Sequence, residues 1–172
     1  MGLSINSCVS FPKELSKENK KQIDKDLLNF NGTYDVNIDD ENYLATNILK
    51  GILYRDEKNI PRSNPNNEYL FKIKIINPTS INFTLLESDT ILKSKTIAIK
   101  KIKHNSIYLK NKNVLRHNIP FILGGLDTNK DRLSLDKKGN LVIENANESI
   151  GAFLFFLWSG SEHKSTVYYP KR

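Results

Sequence analysis

Four sets of residues have the types and spacing that chemistry needs. Asp127, Asn129 and Asp131 alternate oxygen-bearing side chains like the opening of a calcium loop, and Gly124–Gly125 precedes them like a phosphate-binding turn. "WSGSEH" (158–163) gathers Ser, Glu and His, and Cys8 is the single cysteine. The calcium loop fails at its sixth position, where the sharp turn wants Gly and finds Arg132. It fails again at its closing position, where a bidentate Glu is needed and Lys138 stands. The phosphate loop fails because no Lys–Ser/Thr pair follows the glycines and strand-like segments flank them on both sides. These residues read instead as a polar hairpin tip at Asp127–Asp131 with glycine corners at 124 and 125. "DKKGN" (136–140) is a second hairpin signal, with Gly139 in the left-handed position.

His104, His117 and His163 are scattered, with no HExxH and no i, i+4 pair for zinc. No GxSxG elbow supports a serine nucleophile, so "WSGSEH" reads as a polar loop ending a strand. One cysteine allows no internal disulfide. The expectation is a non-enzymatic protein with no metal and no cofactor. Lys and Arg outnumber Asp and Glu by 26 to 19, giving +7, which raises the question of an acidic partner. The lysine-rich stretch 93–112 has Tyr108 as its one aromatic, whereas single-strand nucleic-acid surfaces stack bases on several, so nucleic acid is not the expected partner.

The elements that must position these residues follow from periodicity. Residues 9–28 are charged and open with Pro12, a tether leading into a short helix that ends near Leu28. "FNGTYDV" (30–36) reads as the first strand. In 39–53, Tyr43, Leu44, Ile48 and Leu49 fall at helical spacing, with Gly51 near the stop. Residues 55–68, with two prolines, form a loop.

From Glu68 the period is two. Tyr69, Phe71, Ile73 and Ile75 share one face opposite Lys72 and Lys74; Ile81, Phe83 and Leu85 follow, then Ile97 and Ile99, with a register shift near Ser94–Lys95. "SIYLKN", "NVLRHN", "IPFIL", "DRLSLD", "NLVIEN" and "IGAFLFFLW" read as further short strands. No apolar run reaches the roughly 18 residues of a membrane-spanning helix. Strands without crossover helices predict a mainly all-β chain, an antiparallel up-and-down barrel. The division is 1–28 as tether and short helix and 29–172 as a single barrel domain.

Phe30, Gly32, Thr33 and Tyr34, followed by Glu41–Asn42–Tyr43, resemble the opening of the calycins, the superfamily of lipocalins and fatty-acid-binding proteins. Tyr34 stands where the lipocalin motif has Trp, and "VYYPKR" lacks the order of the carboxylate-gripping Arg-x-Tyr. "NIPFILGG" and "RLSLDKKGNLVIENANESIGAFLFF" look like the C-terminal half of bacterial lipocalin-like lipoproteins. "LSINSC", with Ile5 and Ser7 before Cys8, resembles a lipobox, which makes Cys8 the candidate lipidation site and the cell envelope the expected location, lipid-anchored or periplasmic. The resemblance implies a small apolar ligand inside the barrel. The candidate inward residues are Tyr69, Phe71, Ile73, Phe83, Leu85, Ile97, Ile99 and Phe153. The alternative is an envelope-associated structural or interaction protein with a filled barrel, acting through its basic outer face.

Overall fold

A computed structural model of the chain describes residues 27–36, 48–49, 51–54, 67–110, 112–119, 123–153 and 157–172. Cys8, the tether and the Glu41–Asn42–Tyr43 segment lie outside the described residues. Among the described residues nine strands form one antiparallel sheet: β1 (Gly32–Val36), β2 (Tyr69–Asn77), β3 (Ser80–Glu87), β4 (Thr90–Lys103), β5 (Ser106–Leu109), β6 (Lys112–Ile119), β7 (Leu123–Leu135), β8 (Leu141–Phe153) and β9 (Leu157–Tyr169). They run up and down in chain order and curl into a half-barrel. β5 and β6 pair successive stretches of β7, Arg132–Ser134 and Leu123–Asn129, so they act as one interrupted strand.

The alternation predicted for β2 and β3 is realised, and for a physical reason: with one face buried, a slip of one residue would turn every apolar side chain to water. Tyr69, Phe71, Ile73 and Ile75 are buried while Lys72 and Lys74 are exposed. Ile81, Phe83 and Leu85 complete the face on β3. The helical spacing around residue 48 is also realised, since 48–49 and 51–53 are helical and Ile48, Leu49, Ile52 and Leu53 pack into the core. The stretch ends at Leu53, two residues after Gly51, so Gly51 lies near its stop as expected.

At one end the sheet's two edges meet. The Asp35 N–H donates to the Pro170 carbonyl and the Arg172 N–H to the Thr33 carbonyl, each at 2.9 Å, around a bridge between Tyr34 and Lys171. Lys171 Nζ donates to the Asn31 carbonyl at 3.1 Å, just beyond the 3-10 turn Leu27–Phe30. Arg172 pairs with Asp35 at 3.0 Å and also with Glu68.

Several expectations are corrected. Asp127–Asp131 is not a hairpin tip: Leu123–Leu135 is one strand, paired with β8 along its whole length, while most of "IPFIL" (120–122) lies outside the described residues. Asp127–Asp131 is therefore strand interior, and Asp131 is buried. "NLVIEN" and the start of "IGAFLFFLW" likewise merge into β8, and 158–163 lies within β9, not in a loop. Gly124 and Gly125 sit opposite Ala152 and Gly151, so they are close-approach positions between strands and not corners. The register shift expected near Ser94–Lys95 does occur in β4, at Leu92, where Lys93 and Ile91 pair with the consecutive Leu85 and Leu86; a second falls at Ile99/Lys101. Turn-forming residue types misled in the long strands because cross-strand partners satisfy them: Asn145 Nδ2 donates to Asn129 Oδ1 at 2.8 Å and to Asp131 Oδ1 at 2.7 Å, and Ser149 Oγ donates to Asp127 Oδ1 at 2.7 Å.

The 136–140 turn forms as predicted. Gly139 has φ +87°, and Asp136 Oδ1 accepts the N–H groups of Lys138 and Asn140 at 2.8 and 2.9 Å. An Asx side chain replacing backbone partners is a standard way to fix a tight turn.

Candidate functional site

Seven of the eight predicted interior residues come together. Tyr69, Phe71, Ile73, Phe83, Leu85, Ile97 and Ile99 are all buried in one core cluster. The eighth, Phe153, ends β8 opposite Leu123 and Leu157, and its side chain lies outside the described ones.

The closed end of the half-barrel is filled by the protein's own rings. Phe71 stacks on Phe83 with centroids 5.5 Å apart and meets Tyr169 at 6.1 Å. Tyr34 is fully buried, and its hydroxyl donates to the Phe30 carbonyl at 2.9 Å. Burial pushes the Tyr34 phenol up to about 12 and the Tyr169 phenol higher still.

On the β4 side the sheet divides. β5 pairs with β4 only from Ile99 to Lys103, and the Lys110 N–H gives a last bond to the Ala98 carbonyl at 2.9 Å. Beyond that point β6 follows β7. Among the described residues no strand pairs with the far edge of β4 from Thr90 to Ile97. The result is a seam between β4 and β6.

Two lysines stand on the inward face beside this seam. Lys95 is directly opposite Phe83 and Lys93 directly opposite Leu85, and opposed residues of an antiparallel pair share a face. Both lysines are half-buried, while Ser94 and Thr96 between them are exposed. The Lys93 ammonium lies 5.4 Å from the centroid of the buried Tyr54 ring, within cation–π range. Sequence reasoning placed Ile97 and Ile99 on this face but missed the lysines. The signal was available, because Lys93, Lys95, Ile97 and Ile99 alternate without a break; the shift expected near Ser94–Lys95, which falls at Leu92, hid it.

A third polar group marks the rim. The Tyr69 hydroxyl and the Asn67 amide donate to Glu87 Oε1 at 2.5 and 2.7 Å. The Tyr69 bond, then the Asn67 bond, hold this carboxyl below its ordinary value.

The remaining chemistry-bearing residues do not converge. Alternate residues on one strand face are about 7 Å apart, so Asp127, Asn129 and Asp131 cannot surround one cation. Among the described residues no three His, Cys, Asp or Glu side chains are grouped to hold a metal. The outer face of β2 to β4 is a polar ladder: Thr84 Oγ1 lies 3.1 Å from Ser94 Oγ, Asn82 Nδ2 lies 3.2 Å from Thr96 Oγ1, and Lys72 and Lys74 flank them. Lys101 sits 4.7 Å over Tyr108.

No family model, no curated protein and no solved structure matches the chain.

The fold is thus an antiparallel half-barrel of a calycin-compatible kind, and its interior face, rim and seam form the candidate site.

Proposed function

We propose that this is a non-enzymatic, lipocalin-like binding domain that holds a small apolar molecule in the half-barrel, carried on a lipid anchor at Cys8 in a bacterial envelope. The observation that carries the reading is the seam. It leaves the inward apolar face beside Leu85 and Ile97 next to an interruption in the wall, two strands across from Phe71. Small-ligand sites are mostly apolar concavities with a few placed polar groups, and Leu85, Ile97, Tyr54 and the two lysines have that composition.

The test is titration with the neutral fluorophore N-phenylnaphthylamine, whose emission rises in apolar surroundings. Saturable, one-to-one enhancement is expected, weakened by Ile97→Trp in a variant that still melts cooperatively. Absence of saturable binding overturns the reading. The second reading, a basic outer face acting on an acidic partner, is favoured by the exposed Lys72 and Lys74 beside the Thr84–Ser94 ladder. It predicts association that weakens steeply as salt rises.

A further inference from the structure

We infer that the free edge of β9 pairs with the same edge of a second copy of this chain, giving a symmetric antiparallel dimer in which the sheet continues from one copy into the other. This edge lies on the outside of the half-barrel, so its pairing is independent of the binding function proposed above. The path of the sheet ends at β9. Among the described residues β9 pairs along its length only with β8, and β1 meets the chain just beyond it, at Pro170 and Arg172. Gly160, Ser161, Glu162, His163 and Lys164 are consecutive and all exposed, so both faces of the strand are open there. Such an edge presents a row of backbone donors and acceptors that another strand can complete.

The closure of the half-barrel shows which residues present them. The Pro170 carbonyl and the Arg172 N–H point toward β1, and the β8–β9 register is unbroken. By the alternation of antiparallel strands, Gly160, Glu162, Lys164 and Thr166 turn their backbone groups to that same side. Charge then selects the register. With a two-fold axis at His163, Glu162 stands opposite Lys164 of the second copy, and Gly160 stands opposite its Thr166. Glu162 and Lys164 already form an ion pair of 2.7 Å within one chain, so two chains set four charges in a square of alternating sign. Opposite charges facing each other stabilise an antiparallel pair, and like charges oppose it. Moving the axis by one residue puts Lys164 against Lys164, or Glu162 against Glu162. The open edge of β4 differs. An axis at Lys93, Ser94 or Lys95 brings lysine against lysine, which guards that edge against its own copy.

Sedimentation equilibrium of the full chain is the first test, and a reversible monomer–dimer equilibrium is expected. Lys164→Glu and Glu162→Lys should each weaken the dimer about 10-fold. An equimolar mixture of the two variants should restore it, because one chain then carries two negative charges and the other two positive ones. In a Cys8→Ser background, His163→Cys places two thiols at the axis. Opposed residues that exchange no hydrogen bonds are about 4.5 Å apart between Cα atoms, within disulfide reach, so mild oxidation should link the dimer covalently. Ser161→Cys, which stands opposite Ser165 of the second copy, should not link to itself. A chain that stays monomeric at about 1 mM overturns the inference. A dimer indifferent to the charge exchange also overturns it, as does one that links through Ser161→Cys as well as through His163→Cys, by placing the contact elsewhere.

Discussion

Arg132 and Glu144 show how a single pair can hold a strand face together. They are opposite one another on β7 and β8, both buried, and joined by two parallel bonds of 2.6 and 2.5 Å from Nε and Nη2 to the two carboxylate oxygens. Tyr108 lies against the guanidinium with its ring centroid 5.9 Å away. Buried ion pairs cost nearly as much desolvation as they return in attraction, so the pair is a weak net stabiliser but a strong constraint. Glu144→Ala, which removes the carboxylate from the buried guanidinium, should cost about 3–5 kcal/mol in urea denaturation. The double variant Arg132→Met, Glu144→Leu should recover most of that loss. Equal losses in the single and double variants would refute this account of the pair. None of this was visible in "DRLSLD" and "NLVIEN", because alternation assigns a residue to a face without saying that both faces of the strand are covered.

The elements carry two glycines of opposite consequence. Gly51 sits in the helical stretch with nothing within 4 Å of the place a Cβ would occupy. Gly139 closes the β7–β8 hairpin at φ +87°. Alanine at 51 should stabilise by about 0.5–1 kcal/mol, since it removes backbone freedom from the unfolded chain and meets no obstacle. Alanine at 139 should destabilise by about 1–2 kcal/mol, because its Cβ opposes the left-handed conformation. Thermal melts of the two variants, compared with the parent, should shift in opposite directions. Composition alone supplies neither sign: Gly51 lies near the end of its helical stretch, which stops at Leu53, and Gly139 lies in a left-handed turn. Only the backbone conformation at each glycine separates the two cases.

For the whole molecule, closure of the half-barrel brings Tyr34 of β1 and Tyr169 of β9 into the same core cluster. Both phenols are pushed up by burial, Tyr34 from 10.0 to about 12. A raised folded-state value means that the unfolded chain releases the proton first. The stability these groups contribute is therefore complete below pH 10.0 and is lost as pH rises toward 12 and beyond. The denaturation midpoint should fall steeply in that window, with tyrosinate absorbance from these two rings emerging together with unfolding. Tyr34→Phe should lower stability by about 1 kcal/mol at neutral pH, through loss of the bond to the Phe30 carbonyl, and make the alkaline decline shallower. An unchanged alkaline profile in that variant would show that the phenol is not sequestered.

The sequence by itself determined the class of fold, the inward rows on β2 and β3 and the 136–140 turn. Each depends on a period of two or on local backbone chemistry, and both are written in consecutive residues. Tertiary structure decided what depends on partners far away in the chain. Asp127, Asn129 and Asp131 have turn-forming side chains, yet they lie in a strand because Asn145 and Ser149 bond to them across the sheet. The seam exists because β6 leaves β4 to follow β7, a choice between competing edges that no local pattern encodes. Lys93 and Lys95 became candidate site residues only once their partners, Leu85 and Phe83, were known.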